Sequence, residues 1–128
     1  MKIAQTAKDC NARHFGLVSS VGANKNSLFL YPRVKGEIEE AIKNLNFPSC
    51  KIYRPGYLEI DEGRDERRLG EKTLGLFMPV LKCLSDSAAI NVKDLSHFMI
   101  NKALEDKEEF ALFENSQMIK ELREEKRK

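Results

Sequence analysis

Residues 14–20 read His-Phe-Gly-Leu-Val-Ser-Ser, and residues 31–35 read Tyr-Pro-Arg-Val-Lys. The first stretch is an apolar run with the length of a buried parallel strand, and it ends in two serines. The second stretch opens a segment in which apolar residues recur at helical spacing as far as residue 46. A further strand is expected at 50–54. The pattern therefore predicts two adjacent parallel strands joined by a helix.

Side chains at the end of the first strand and on the helix suit proton transfer to a carbonyl or an alcohol. The hydroxyl of Ser20 can hydrogen-bond the substrate oxygen, and Tyr31 can exchange the proton. Lys35 lies one helical turn after Tyr31 on the same face, where its positive charge favours the phenolate. Ser19 is the alternative to Ser20. The competing interpretation is that both serines satisfy backbone groups at a strand end and that Tyr31 and Lys35 are surface residues.

The order of elements resembles the C-terminal half of a short-chain dehydrogenase/reductase. Within that superfamily, the chain resembles the atypical Tat-interacting oxidoreductase family. The stretches that carry this likeness are 14–25, 29–31 and 34–39. The specific match covers residues 1–60, and a weaker one continues to about residue 115. The resemblance implies hydride transfer to or from a carbonyl or alcohol, with Ser20, Tyr31 and Lys35 as the catalytic residues.

The resemblance also implies NADP or NAD as the cofactor of the complete fold. Lys35 would hydrogen-bond the nicotinamide ribose, and the turn Arg54-Pro55-Gly56 would approach the carboxamide. Proline fixes the backbone of that turn and glycine permits a close approach, although a plain strand-to-loop turn is the alternative. None of the seven glycines lies in a Gly-rich pyrophosphate-binding pattern. We therefore expect the chain alone to bind a dinucleotide weakly or not at all.

The expected fold class is α/β, as the C-terminal half of a Rossmann-like, doubly wound parallel sheet whose N-terminal dinucleotide-binding strands are missing. Residues 1–115 would form this partial domain, and residues 116–128 a C-terminal helix or tail. The remaining predicted elements are helices at 2–10, 72–84 and 94–105, a charged loop at 61–68 and a strand at 109–113. Asp94 is the expected cap of one helix, and Asn115 or Ser116 of the last.

Pro32 is the residue expected to disturb the site. Proline is comfortable only in the first turn of a helix. A helix that starts well before Pro32 would be bent there, whereas one that starts at Tyr31 would place the tyrosine near the cap. Either case would shift the Tyr31–Lys35 geometry.

Composition and charge exclude several classes of function. The 128 residues include 22 Lys and Arg and 20 Asp and Glu, for a net charge of +2, and the two signs are interspersed. This pattern does not predict a nucleic-acid groove, and no apolar run is long enough to span a bilayer. Three cysteines and two histidines form no metal-binding or redox motif. Reduced thiols predict a cytoplasmic or nuclear location.

Other functions stay open beside an oxidoreductase-like protein that is truncated and inactive alone. Tat-interacting relatives are associated with transcriptional regulation, nuclear transport and apoptosis, so the resemblance also allows a non-enzymatic interaction protein. A truncated product without activity of its own is a third reading. The partner is accordingly a small carbonyl or alcohol substrate or a protein. An exposed sheet edge, where earlier strands would pair, would support oligomerisation.

Overall fold

A computed structural model describes residues 1–59, 89–105 and 108–127. The helices in these ranges are α1 (Lys2–Asp9), α2 (Leu30–Lys43), α3 (Val92–Glu105) and α4 (Asn115–Glu125). The strands are β1 (His14–Val18), β2 (Ser49–Arg54), β3 (Tyr57–Glu59), β4 (Ala89–Asn91) and β5 (Phe110–Glu114). The predicted helix at 72–84 and the predicted loop at 61–68 lie outside the described residues.

The main sheet has three parallel strands in the order β1-β2-β5, and α2 connects β1 to β2 along the chain. The predicted α/β class and the parallel pairing of the first two strands are confirmed. Val18 pairs with Tyr53, and Arg54 pairs with Glu114, so the carboxyl ends of the three strands meet at one edge. Open α/β sheets bind their ligands at this edge.

Two hydrophobic clusters cover the two faces of the sheet, because successive side chains of β2 point to opposite faces. Cys50 and Ile52 pack on the side of α1 and α2, and Tyr53 packs on the side of α3 and α4. The first cluster contains Ala4, Ile42, Phe47, Cys50 and Ile52. The second contains Tyr53, Ile90, Leu95, Phe98, Phe113, Met118 and Leu122. The result is a three-layer α/β arrangement with β2 buried at its centre.

β1 lies at the border of the described sheet. It pairs with β2 on one side, and no other described strand pairs with it. Its burial is correspondingly incomplete, since Gly16 is exposed and Val18 is 37% exposed. A second, two-stranded parallel sheet joins β3 to β4. The sequence did not predict this pair, because strands of three residues are too short to show an alternating pattern.

The position of Pro32 is compatible with a straight start of α2. The helix begins at Leu30, and its first backbone hydrogen bond runs from the Arg33 N–H to the Phe29 carbonyl at 3.2 Å. Pro32 is therefore the third helical residue, in the turn where backbone N–H groups have no intrahelical partner. Pro32 therefore need not bend the helix, and its expected effect on the Tyr31–Lys35 geometry stays a prediction.

The predicted caps of the last two helices are also wrong. α3 begins at Val92, two residues before Asp94, and the Asn91 Oδ1 accepts a hydrogen bond from the Lys93 N–H at 2.8 Å. α4 follows β5 without a loop, so Glu114 is its N-cap and makes no side-chain capping bond. Asn115 is the first residue of the helix, and its Oδ1 accepts a hydrogen bond from the Gly56 N–H.

α4 belongs to the packed structure. Met118 is fully buried and Leu122 is 8% exposed, and both join the cluster around Tyr53. The domain boundary at residue 115 stays a prediction. None of the helices in the described part of the chain is both long and apolar enough to cross a membrane.

Candidate functional site

Ser19 and Ser20 directly follow β1, and the backbone around them bonds to residues at the carboxyl end of β2 and just after it. The Ser19 N–H donates to the Tyr53 carbonyl at 2.7 Å, and the Val21 N–H donates to the Pro55 carbonyl at 3.0 Å. The Ser20 hydroxyl donates to the Val21 carbonyl at 3.3 Å. The Ser19 Oγ is buried and has no hydrogen-bond partner among the described residues. A buried hydroxyl without a partner costs roughly 1–3 kcal/mol, which points to Ser19 as the serine with an uncommitted side chain.

Tyr31 and Lys35 meet on one face of α2, as the sequence predicts. Tyr31 is the second residue of the helix, and Lys35 lies one turn later. The Lys35 Nζ is 5.6 Å from the centroid of the Tyr31 ring. A cation at this distance is attracted to the ring and lies close to the phenol. The structure therefore brings these two predicted residues together at the start of α2.

The loop between β1 and α2, residues 19–29 and here called the serine loop, makes a close contact with α2. The Asn24 N–H donates to the Pro32 carbonyl at 2.9 Å. A Cβ added to Gly36 would lie 2.6 Å from the Asn24 carbonyl carbon and closer still to the Lys25 nitrogen. Only glycine allows the two backbones to approach in this way. Lys25 also forms an ion pair with Glu40 on the exposed side of α2.

Arg54 links three elements at the carboxyl edge of the sheet. Its Nε and Nη2 donate to Glu39 on α2 at 2.9 and 2.6 Å, and its Nη1 donates to the Glu114 carboxylate at 2.7 Å. The Glu39 side chain is 7% exposed and that of Arg54 is 20% exposed. Hydrogen bonds to Glu39 and then to Glu114 outweigh desolvation and raise the pKa of Arg54. The network is a partly buried bidentate pair with a second carboxylate.

The rest of the Arg54-Pro55-Gly56 turn is also bound within the protein. The Gly56 N–H donates to the Asn115 Oδ1 at 3.0 Å, and the Pro55 carbonyl accepts from the Val21 N–H. The guanidinium of Arg54 and the amide of Gly56 are thus engaged by protein groups. The assignment of Arg54, Pro55 and Gly56 to cofactor binding stays a prediction, as do the catalytic roles of Ser20, Tyr31 and Lys35.

Sequence reasoning missed four residues that shape this edge. Gly36 and Glu39 lie on the buried side of α2, where helical spacing from Pro32 is the available signal. Glu114 and Asn115 lie more than 50 residues from Arg54 in the chain, and no local pattern connects them to it. Only the pairing of β2 with β5 brings them together.

The opposite edge of the sheet has a different chemistry. The His14 Nδ1 is 2.8 Å from the Ser49 Oγ, and the Lys51 Nζ donates to the Glu108 carbonyl at 2.7 Å. Burial and the charge of Lys51 lower the pKa of His14. Burial raises the pKa of the Cys50 thiol, which Lys51 partly offsets. No group of His, Cys, Asp and Glu in the described ranges has the arrangement of a metal site.

Comparison with known proteins finds two kinds of relative. Protein HTATIP2 of Rattus norvegicus is 46% identical over 71 residues, which make up 56% of this chain and 28% of that protein. Protein fmp52, mitochondrial, of Aspergillus fumigatus is 38% identical over 108 residues, 81% of this chain and 45% of that protein. The fmp52 protein of Aspergillus niger is 35% identical over 103 residues, 79% of this chain and 44% of that protein.

These relatives contradict the expected location. The fmp52 proteins of Aspergillus fumigatus, Aspergillus niger and Aspergillus clavatus are named as mitochondrial. The expectation of a cytoplasmic or nuclear location is therefore wrong. It rested on unpaired cysteines, and these indicate a reducing environment without distinguishing one reducing compartment from another.

No family model matches the chain. The chain spans less than half the length of the three relatives described above. The similarity extends over most of this chain in the fungal proteins, and it supports the resemblance drawn from the serine pair and the Tyr-x-x-x-Lys helix. HTATIP2 and the fmp52 proteins are homologues of this chain.

Proposed function

We propose that this chain carries the Ser-Tyr-Lys half of an NAD(P)-dependent oxidoreductase of the short-chain dehydrogenase/reductase type, within a family that includes HTATIP2 and fmp52. One observation carries the proposal. Tyr31 and Lys35 share a face of α2, and the loop after β1 contacts that same helix at Gly36. The substrate class is a carbonyl compound or the corresponding alcohol.

Each residue has a distinct role in this reaction. Tyr31 donates the proton from its Oη to the carbonyl oxygen during reduction, and accepts it in the reverse direction. Lys35 stabilises the phenolate that remains after the proton has left. A serine hydroxyl donates a hydrogen bond to the substrate oxygen and holds it next to Tyr31. The nicotinamide cofactor, when bound, supplies or removes the hydride.

The choice between the two serines now favours Ser19. Its buried hydroxyl has no partner among the described residues, whereas the Ser20 hydroxyl already donates to a carbonyl. A substrate oxygen would satisfy the Ser19 group and remove the cost of its burial. We infer that Ser19→Ala lowers turnover more than Ser20→Ala does.

Of the residues assigned to the cofactor, only some have groups that are not already bound to other described residues. Lys35 is suitably placed beside Tyr31, but the Arg54 guanidinium and the Gly56 N–H are bound to protein groups. The 128 residues also contain no Gly-rich pyrophosphate turn. We therefore expect NADPH and NADH to bind the 128-residue chain weakly or not at all, which calorimetric titration measures directly.

The activity itself is tested in a chimera. Residues 1–128 are joined to the part of Aspergillus fumigatus fmp52 that the alignment leaves uncovered, and a panel of aldehydes and ketones is assayed with NADPH and NADH. We expect turnover that Tyr31→Phe reduces at least 100-fold, within the range that general acid catalysis contributes. Tyr57→Phe is the control, because Tyr57 is exposed on β3. Turnover that is equal in the two variants would contradict the proposal.

A second candidate function is a protein-interaction role. Three consecutive bulky side chains just before Tyr31 are exposed: Leu28 at 95%, Phe29 at 62% and Leu30 at 64%. Contiguous exposed apolar groups are typical of interaction sites. Cofactor binding by the chimera without Tyr31-dependent turnover would favour this alternative over the oxidoreductase.

The relatives' names also suggest a mitochondrial location for this protein. Cell fractionation with an antibody to the chain tests it, and the expected result is enrichment with mitochondrial markers. Recovery only in the soluble cytosolic fraction would contradict this suggestion without affecting the proposed chemistry.

A further inference from the structure

We propose that Glu114 and Asn115, at the junction of β5 and α4, are positioning residues for the Ser-Tyr-Lys site. The proposal rests on the proposed function for its chemical meaning, but its structural content is independent of it. Neither residue lies in the stretches 14–25, 29–31 and 34–39 that carry the resemblance drawn from the sequence. Both contact the Arg54-Pro55-Gly56 turn, one through the arginine side chain and the other through the glycine backbone.

First, Glu114 and Asn115 both hydrogen-bond the Arg54-Pro55-Gly56 turn. The Glu114 Oε1 accepts from the Arg54 Nη1 at 2.7 Å, and the Asn115 Oδ1 accepts from the Gly56 N–H at 3.0 Å. Asn115 is 7% exposed although it lies in the first turn of a helix. Asparagine is favoured at the N-cap and is a poor helix former inside a helix. Its burial here is explained by its hydrogen bond to Gly56, which is distant in the sequence.

The second step is the link from the turn to the serines. The Pro55 carbonyl accepts from the Val21 N–H at 3.0 Å, and the Tyr53 carbonyl accepts from the Ser19 N–H at 2.7 Å. The serine loop therefore takes its position from the backbone of β2 and the turn after it. A displacement of the turn moves the acceptor that holds Val21.

The third step is the link from the turn to the helix that carries Tyr31 and Lys35. Arg54 binds Glu39 through two parallel hydrogen bonds, and Glu39 lies one helical turn after Lys35. Bidentate arginine–carboxylate pairs fix orientation as well as distance. The junction at Glu114 and Asn115 thus holds, through one turn, both the serine loop and the helix face that the proposed reaction needs.

The test uses amide NMR spectra of the 128-residue chain with Asn115→Ala, Asn115→Asp and Gln117→Ala. Gln117 is the matched control, since it is exposed on the same helix and binds Glu121 within it. We expect Asn115→Ala to shift the amide signals of Gly56, Val21 and Ser19 several times more than Gln117→Ala does. Asn115→Asp keeps the acceptor oxygen and should return these signals towards their original positions.

The pattern of shifts separates positioning from simple stabilisation. A residue that only stabilises the fold would lower the unfolding midpoint without moving the Val21 and Ser19 signals of the folded state. Unmoved Val21 and Ser19 signals, or a failure of Asn115→Asp to restore them, would overturn the proposal. If Asn115→Ala does not fold, Glu114→Gln decides by the same criterion. An inactive chimera with the expected shifts would reject the proposed function and leave the positioning intact.

Discussion

Arg54 and Lys51 are two cations of the same strand, and the hydrogen bonds of their charged groups go to different kinds of acceptor. Arg54, at the carboxyl end of β2, pairs with the carboxylates of Glu39 and Glu114. Lys51, near the amino end, is fully buried, and its Nζ donates to the backbone carbonyl of Glu108. One end of the sheet is cross-linked by charged side chains from three elements, and the other is tied to the backbone before β5.

The two ends of β2 therefore differ in how strongly their side chains restrict the neighbouring elements. Both cations make charge-assisted hydrogen bonds, but only Arg54 makes a bidentate pair, which restricts orientation as well as distance. The carboxyl edge adds the glycine contact between α2 and the serine loop. The carboxyl edge is therefore the one at which a bidentate ion pair and a close backbone contact fix the orientation of α2. Four predictions test this comparison, from the largest expected effect to the smallest.

Gly36→Ala should have the largest effect. The added methyl group would overlap the backbone of Asn24 and Lys25, which cannot move aside as a flexible side chain does. We expect the free energy of unfolding to fall by about 3 kcal/mol or more, at the upper end for overpacking. Urea unfolding followed by circular dichroism measures the change.

Gly16→Ala is the control for this substitution. Gly16 lies in β1, and an added Cβ would find its nearest atoms at 3.7 Å, an ordinary contact distance. Alanine is favoured over glycine in a strand by roughly 0.5–1 kcal/mol, so stability should stay equal or rise. Equal losses for the two variants would show that the loop contact at Gly36 is unimportant.

Glu39→Gln should have the second largest effect. The amide places an NH2 group where Arg54 needs an acceptor, and one charge-assisted bond is lost. We expect a loss of about 2 kcal/mol, as for buried hydrogen bonds to charged groups. Glu40→Gln removes the exposed partner of Lys25 and should cost about 0.5 kcal/mol or less. A larger loss for Glu40→Gln would refute the comparison.

The amino end of the sheet should show a smaller, pH-dependent effect. Burial lowers the pKa of His14 below the ordinary value of 6.5, so the unfolded chain binds this proton more readily than the folded one. Stability should therefore fall as the pH drops below about 6.5 and level off below the folded pKa. Urea unfolding between pH 7.5 and 5.5 measures the slope. His14→Gln should reduce this slope. An unchanged slope in His14→Gln would exclude His14 as its source.

The smallest effect is on the reactivity of the cysteine thiols, because labelling them in the native protein leaves the fold unchanged. Cys10 is exposed, whereas Cys50 is 3% exposed and burial raises the pKa of its thiol. In a Cys83→Ser background, we expect iodoacetamide at pH 8 to modify Cys10 in the native protein and Cys50 only after urea is added. Mass spectrometry of the digested protein assigns the label. Equal labelling of both thiols in the native protein would mean that β2 is accessible.

The sequence predicts the parts of this protein that depend on neighbours in the chain. The apolar run of β1, the helical spacing of α2 and the step of four residues from Tyr31 to Lys35 are local patterns, and the structure confirms each element. The resemblance drawn from the stretches 14–25, 29–31 and 34–39 is supported by the homologue HTATIP2, whereas the relationship to fmp52 was not predicted. The sequence favours Ser20 over Ser19, and the catalytic role of either serine stays a prediction, although the structure shows that only the Ser20 hydroxyl has a hydrogen-bond partner among the described residues.

Only the tertiary structure decided which polar residues are buried and what they hold. Apolar β1 is partly exposed, while β2 is buried despite Lys51, because β2 lies between two strands and β1 has one described neighbour. Asn115 looks like a helix cap in the sequence, and in the structure its side chain accepts a hydrogen bond from the Gly56 N–H in the turn between β2 and β3. The physical reason is that periodicity and capping act within a few residues, whereas strand order brings distant groups within hydrogen-bond reach.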